Sequence, residues 1–411
     1  MINFERAGVP QWLIRAFKIQ IAFVRIIARI IGLRCTYFSN KTGQFELSTF
    51  DRAYSTVILI ILIVGFPFAL PLVYKGARNV IPSNSVPALI GTFSVIFNFI
   101  VIILIYLKEV VNSKKIIKYL NGVSQEIEER FLRDATIREL CDPLFYFLFK
   151  FLICEVVFLL TNAFSMISVI KQFGSSFILV GVLSMYPYLV HFTVSTTVFI
   201  GSLRLKFFFR LLNKNLMNLA REVQKNNIAE MRQYERISFS CNLSDKLDEY
   251  SLYYESISNA TKGLLDLYSL QLLLLIINNF IATTFQMFLQ YVFTRLIFMG
   301  RLEANITLAS FSMVVLIIGF LDFTMHGIVG QHVRDEAKRT GLILHKIPTH
   351  QMDIRFRRSI ETFSLQVLHE NPSLSICGFF ILDIGLISSV IAGISSYVLI
   401  LIQFDQAQEA P

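Results

Sequence analysis

The chain has 411 residues, 54% of them hydrophobic and only 16% charged, with a mean hydropathy of +0.59. A soluble chain of this length carries about 25% charged residues, so the deficit places this one among membrane proteins. The net charge of +9 raises the question of nucleic acid, but the basic residues are distributed as a membrane topology requires and no nucleic-acid partner is expected.

Residues 1–53 form an N-terminal amphipathic region. Arg15, Lys18, Arg25 and Arg29 interrupt its apolar runs and no small-residue cleavage site follows them, so no signal peptide is expected. Residues 11–33 read as a basic amphipathic helix, either lying on the inner membrane surface or packed as an ordinary cytosolic helix. A membrane helix needs about 20 mostly apolar residues. Seven segments qualify: 54–75, 87–107, 144–170, 176–203, 264–290, 307–329 and 374–404. The expected fold is therefore all-α and polytopic. A six-helix bundle fills 54–329, with helical extensions at 108–143 and 204–263. A polar segment follows at 330–373, then helix seven at 374–404 and a short tail at 405–411.

Short and long connections alternate between the spans, and the basic residues gather on the long ones. Residues 1–53, 108–143, 204–263 and 330–373 hold eight, seven, ten and seven Lys or Arg, whereas the other side holds only Lys75, Arg78, Lys171, Arg295 and Arg301. The positive-inside rule then puts the N-terminus and the long connections in the cytoplasm, and seven spans put the C-terminus outside. Asn40, Asn242 and Asn259 begin glycosylation triplets on the inner side, Asn305 begins one beside helix six, and Asn371 is followed by proline. Cys35, Cys141, Cys154, Cys241 and Cys377 all avoid the outer side, so no disulfide framework is expected. Within 204–263, Leu205, Phe208, Leu212, Leu216 and Leu219 recur at helical spacing, and 355–370 is a second amphipathic helix stopped by Asn371-Pro372. These pieces form either an inner anchor layer or surface helices at the membrane face.

No catalytic or metal-binding motif is present, and neither a cofactor nor an enzyme activity is expected. Asp322 and His326 lie four apart on helix six and read as a hydrogen-bonded pair in preference to a metal or proton site. Lys150, Glu155, Asp266 and Asp383 are ionisable groups within spans, and buried partners are expected for Glu155 and Asp383. Aromatic, hydroxyl and amide side chains collect in the outer halves of helices two to six, at Phe97 and Asn98, Thr161 and Asn162, Tyr186, Tyr188 and His191, Gln286, and Ser310 and Phe311. Such a mixture suits a small-molecule pocket.

On a wheel of 100° per residue, Gly385, Ser389, Ala392, Gly393, Ser396, Ile400 and Gln403 share one face of helix seven, opposite Ile387, Ile391, Ile394, Val398 and Ile402. The small, polar face is either a close-packing surface or the lining of a water-filled pore in an oligomer.

The end of helix seven resembles the signature of the insect gustatory receptor family: Thr-Tyr, five hydrophobic residues, then Gln-Phe. Here it reads Ser396-Tyr397, Val398 to Ile402, Gln403-Phe404, with serine in place of threonine. Gly378-Phe379-Phe380-Ile381-Leu382-Asp383 is similar to the glycine-aromatic-acidic pattern that precedes it. The resemblance implies a tastant-gated, non-selective cation channel passing sodium, potassium and calcium. It implies a homotetramer, or a heterotetramer with related receptors, tied by the cytoplasmic helices and embedded in membrane lipid. The location implied is the plasma membrane of gustatory neuron dendrites. It also implies a pore and gate formed by Ser389, Gly393, Ser396, Tyr397, Ile400, Gln403 and Phe404, with a small-molecule tastant bound in the outer half of each subunit. A bitter or other non-sugar ligand is favoured. A G-protein-coupled receptor, also of seven helices, requires the opposite orientation. A secondary transporter would show internal repeats, which are absent. An insect odorant receptor shares the layout but not the Tyr-to-Gln-Phe ending.

Overall fold

The computed structural model describes residues 10–39, 41–80, 85–126, 136–173, 178–226, 230–299, 306–350, 352–370 and 372–407. Helices dominate: α1 (Gln11–Ile30), α2 (Thr49–Val80), α3 (Ser85–Glu126), α4 (Ile137–Lys150), a π-helical turn (Phe151–Val156), α5 (Val157–Phe173), α6 (Ile178–Lys225), α7 (Gln233–Phe298), α8 (Ile306–Leu344), α9 (Ile354–Glu370) and α10 (Ile384–Ala407). Two antiparallel hairpins interrupt them, β1 (Thr36–Ser39) with β2 (Gln44–Leu47) and β3 (Ser375–Ile376) with β4 (Phe380–Ile381). Among the described residues, seven helical runs are long and apolar enough to cross a membrane: α2, α3, α4 through α5, α6, α7, α8 and α10. The all-α, seven-span fold expected from hydropathy is the fold observed.

The spans do not stop where the apolar residues do. α6 has 48 residues and α7 has 66, so at 1.5 Å per residue they reach about 72 and about 99 Å, against a hydrocarbon core about 30 Å thick. The surplus lies in the connections that looked polar in sequence, and it holds much of the core. Leu205, Phe208, Leu212, Leu216 and Leu219 of α6 are all buried, together with Leu243, Leu247 and Tyr254 of α7 and Val333 and Leu344 of α8. α9 packs on α7 and α8 through Phe356, Ile360, Phe363 and Val367. Each such side chain contributes roughly 1.5–3 kcal/mol by leaving water.

α1 packs against the bundle. Leu13, Ile14, Val24 and Ala28 are buried, where the helix packs on α4 and α6, and Trp12, Phe17 and Phe23 meet Phe145, Phe147 and Phe151 edge-on. Trp12, Ile19, Phe23, Ile26 and Ile30 stay on its outer side. The helix is thus packed against the bundle and still presents an apolar strip outward. Its C-terminal end is held by two tyrosines, Tyr54 donating to the carbonyl of Ile30 (2.8 Å) and Tyr106 to that of Ile31.

α10 begins at Ile384, later than the expected 374, because the intervening residues form the second hairpin. Cys377 and Gly378 take φ values of 51° and 75°, in the left-handed region, and the amide of Phe379 donates to the carbonyl of Ile376 (3.0 Å). A helix cannot pass through two such residues. Asp383 then starts α10 by accepting the amide of Leu386 (3.0 Å), a side-chain cap on the first turn.

Candidate functional site

The site begins with a departure from helical geometry. Lys150 and Glu155 are five residues apart, which on an α-helix would separate them by about 140°. The π-helical turn at Phe151–Val156 takes up the difference and sets them side by side. Lys150 Nζ lies 2.7 Å from Glu155 Oε1 and 2.9 Å from Asp322 Oδ1 on α8. Lys150 is 1% exposed and Glu155 3%. Ser195 on α6 donates to Asp322 (3.0 Å) and is 2.8 Å from His326 Nε2, Thr196 donates to Glu155, and the Lys150 ammonium stands 5.3 Å from the centre of the Phe199 ring. One cation therefore joins two carboxylates from different spans, and two hydroxyls of a third span donate to them. Removing these charges from water costs several kcal/mol per ion, which only close pairing of this kind offsets.

Above this cluster lies a cavity of about 200 Å³. Lys150, Glu155, Ser195, Asp322 and His326 form one part of its lining. Phe158 and Tyr188 pack edge-on there with ring centres 5.1 Å apart. Asn278, Asn279, Thr283 and Gln286 of α7 supply amides and a hydroxyl, and Leu272, Leu275, Leu316 and Ile318 supply apolar wall. A small apolar chamber with a few fixed polar groups is the ordinary form of a small-molecule site. Leu382, just ahead of α10, also lines it.

That residue joins the chamber to helix seven. A Cβ at Gly330 of α8 would overlap the carbonyl of Leu382, and one at Gly327 would overlap the side chain of Ile387. Glycine at both positions lets the chain entering α10 lie directly on α8. Arg334 pairs with Asp383 (3.0 Å) at this end of α10, and Arg295 pairs with the buried Asp405 (2.5 Å) at the other. Between these clamps, Leu386, Ile387, Ile394 and Val398 are buried, while Ser389, Ala392, Ser396, Ile400, Gln403 and Phe404 are exposed. Two motif residues face α7 instead. A Cβ on Gly393 would come within 3.0 Å of the Phe280 ring, and the Tyr397 ring meets Phe280 edge-on at 5.7 Å while 56% exposed.

A family model described as 7tm Chemosensory receptor matches residues 21–408. The chain belongs to that family of chemosensory receptors. Among curated proteins of Drosophila melanogaster it is similar to putative gustatory receptor 94a, with 24% identity over 54% of this chain and 56% of the relative. It is also similar to gustatory receptors for bitter taste 93a, with 26% identity over 53% of this chain and 51% of the relative, and 66a, with 28% over 41% and 33%. The receptor thus spans about half the length of the curated relatives it matches. Its fold is that of olfactory receptor OR5 from Machilis hrabei, solved in complex with eugenol, at a TM-score of 0.64 and 14% identity, covering 96% of this chain and 98% of that one.

In the receptor, the side chains expected to form a pocket divide into three groups. Tyr188, His191 and Gln286 line the cavity. Phe97, Asn98, Thr161, Asn162 and Tyr186 are not among its lining residues: Thr161 and Asn162 bond to carbonyls of their own helix, those of Val157 (2.7 Å) and Phe158 (2.8 Å), and Tyr186 pairs with Tyr106 (2.6 Å). Ser310 and Phe311 fall in the first turns of α8, and their side chains lie outside the described residues. The expected partners of Glu155 and Asp383 are Lys150 and Arg334. Asp322 and His326 are joined through Ser195. The charged floor of the cavity escaped the sequence reading, although an ionisable residue in each of two spans was its signal.

Proposed function

We propose that the protein is a gustatory receptor acting as a ligand-gated, non-selective cation channel, in which a small molecule held in the cavity controls a pore lined by α10. The observation that carries this reading is the uncovered face of α10. Ser389, Ala392, Ser396 and Gln403 are exposed, while Ile387, Ile394 and Val398 of the aliphatic face are buried where α10 packs on α7 and α8. Ser389 and Ser396 donate to carbonyls of their own helix and keep lone pairs free to accept from water, and the Gln403 amide at membrane depth needs a partner or water, which a pore between subunits supplies. Four copies of α10 around one axis, tied by α9 and by the extensions of α6 and α7, form the proposed tetramer, either of one chain or with related receptors. Gln403 lines the open pore and Phe404 closes it by dewetting. Leu382 and the contacts at Gly327 and Gly330 connect the cavity to that helix.

The distribution of basic residues supports an inner N-terminus and an outer C-terminus, and the gustatory family resemblance supports the plasma membrane of a gustatory neuron dendrite as the location. The word bitter in the names of two relatives supports a non-sugar ligand. Calcium imaging of cells expressing the chain alone, against a panel of tastants, tests the channel. In responding cells, Gln403→Ala is expected to change conductance or gating while tetramers still reach the surface, and unchanged currents would sink the pore assignment. A C-terminal tag stained without permeabilisation tests the orientation, since a G-protein-coupled receptor would hide it.

A further inference from the structure

We propose that the cavity recognises ligands carrying a positively charged amine, with Glu155 and Asp322 receiving the cationic group. This deepens the reading of the cavity as the ligand site and rests on it. The charge count comes first. Among the described residues lining the cavity, Glu155 and Asp322 are two carboxylates facing a single ammonium, that of Lys150. The other titratable groups there are Cys154 on the π-helical turn, Tyr188 and His191 on α6, and His326 on α8, none of them a fixed cation. The lining therefore carries one more carboxylate than ammonium.

The second observation is an unfilled bond. Lys150 and Thr196 both donate to Oε1 of Glu155, whereas Oε2 is buried with no hydrogen-bond partner. His191 Nε2 and His326 Nδ1 are buried and lack partners as well. Buried polar atoms without partners are uncommon in native proteins and call for an explanation. Here three of them belong to residues lining one chamber. A ligand ammonium supplies what Glu155 Oε2 lacks, since it donates charge-assisted hydrogen bonds to carboxylate oxygens and brings the compensating charge, whereas His191 Nε2, a donor because Asn278 Nδ2 faces Nδ1, suits an acceptor elsewhere on the ligand. The aromatic part of the lining suits the same group. The edge-on pair of Phe158 and Tyr188 offers aromatic faces, and a cation is attracted to such faces when water is excluded. Asn278, Asn279 and Gln286 leave room for a neutral polar group elsewhere on the ligand.

The test uses two molecules of one shape. 2-Phenylethylamine is protonated at neutral pH, and propylbenzene replaces its nitrogen with carbon. Binding to the purified full chain is read from thermal stabilisation across a concentration series. The ammonium is expected to bind at least about tenfold more tightly than the hydrocarbon, a difference of about 1.4 kcal/mol. Glu155→Gln and Asp322→Asn each bring the lining to one carboxylate and one ammonium, and each is expected to reduce that preference to near unity. Two independent variants guard against one failing to fold. Equal affinity for the two molecules, no binding of the ammonium, or a preference that survives in both folded variants overturns the proposal. Ala282→Trp, which fills the cavity, separates this failure from that of the underlying reading. If it blocks binding of the hydrocarbon while the ammonium never binds, the site stands and the cationic class falls. If it leaves ammonium binding intact, the ligand sits elsewhere and both fall.

Discussion

Lys150 has the most to lose from a single substitution. It is held by two carboxylates from two spans, and at 1% exposure it has no route to water. Lys150→Met leaves the buried Glu155 and the half-buried Asp322 without their cation, and breaking a buried pair such as Lys150–Glu155 from one side costs about 3–5 kcal/mol. The expected outcome is a markedly lower midpoint of thermal unfolding in detergent and little protein at the cell surface; a midpoint equal to that of the parent would show that the pair is not structural. Ser195→Ala is milder. It removes the hydroxyl shared by Asp322 and His326 and is expected to cost about 1–3 kcal/mol in the same assay. Sequence reading reaches part of this. Charges inside apolar segments stand out, so Lys150, Glu155 and Asp322 were visible as candidates. Their grouping was not, because Ser195 reaches Asp322 and His326 from 127 and 131 positions away and one hydroxyl in a helix carries no mark of what it touches.

Among the elements, α10 is where local sequence and three-dimensional need diverge most. Asn371-Pro372 announced that α9 ends, and α9 does end at Glu370. The hairpin that follows was hidden by its apolar composition, which reads as membrane helix at the same hydropathy. Only Gly378 hinted at a turn, and the left-handed Cys377 beside it gave no signal. The π-helical turn is equally silent, since Phe151–Val156 contains neither glycine nor proline. Two predictions belong here. Gly330→Ala places a methyl group against the carbonyl of Leu382, and overpacking of this kind costs about 1–3 kcal/mol. It is expected to lower thermal stability and to shift the concentration dependence of any ligand-evoked current, because the displaced segment leads into α10. Asp383 has two roles that substitutions can separate. Asp383→Asn keeps a good capping side chain and loses the charge facing Arg334, whereas Asp383→Ala also loses the cap, worth about 1 kcal/mol. Alanine is therefore expected to unfold at a lower temperature than asparagine, and equal midpoints would remove the cap from the account.

At the scale of the molecule, hydropathy found all seven spans because each must bury about 20 apolar residues whatever it packs against. What hydropathy undervalued is the helical mass beyond the spans. Leu212, Leu216, Leu243 and Leu247 sit among charged neighbours there, and their core becomes apparent only when α6, α7, α8 and α9 come together. The exposed side of α10 gives a prediction for the assembly. In a Cys377→Ser background, Ser396→Cys is expected to form oxidised dimers on a non-reducing gel, as adjoining copies would bring these faces together. A band that stays monomeric under oxidation, in protein that elutes as an oligomer, would place the subunit contacts elsewhere.

The exposed serines of α10 have a property of their own. Ser388, Ser389, Ser395 and Ser396 each donate to the carbonyl four residues back, those of Ile384 (3.3 Å), Gly385 (3.0 Å), Ile391 (3.0 Å) and Ala392 (3.0 Å). Their hydrogens are spoken for within the helix, while their oxygen lone pairs remain free to accept. Such a surface strands no donor when pressed against hydrocarbon or another helix. When wetted, it offers acceptors to water without first breaking a bond. The face is amphibious, and moving it between dry and wet surroundings demands no exchange of hydrogen-bond donors.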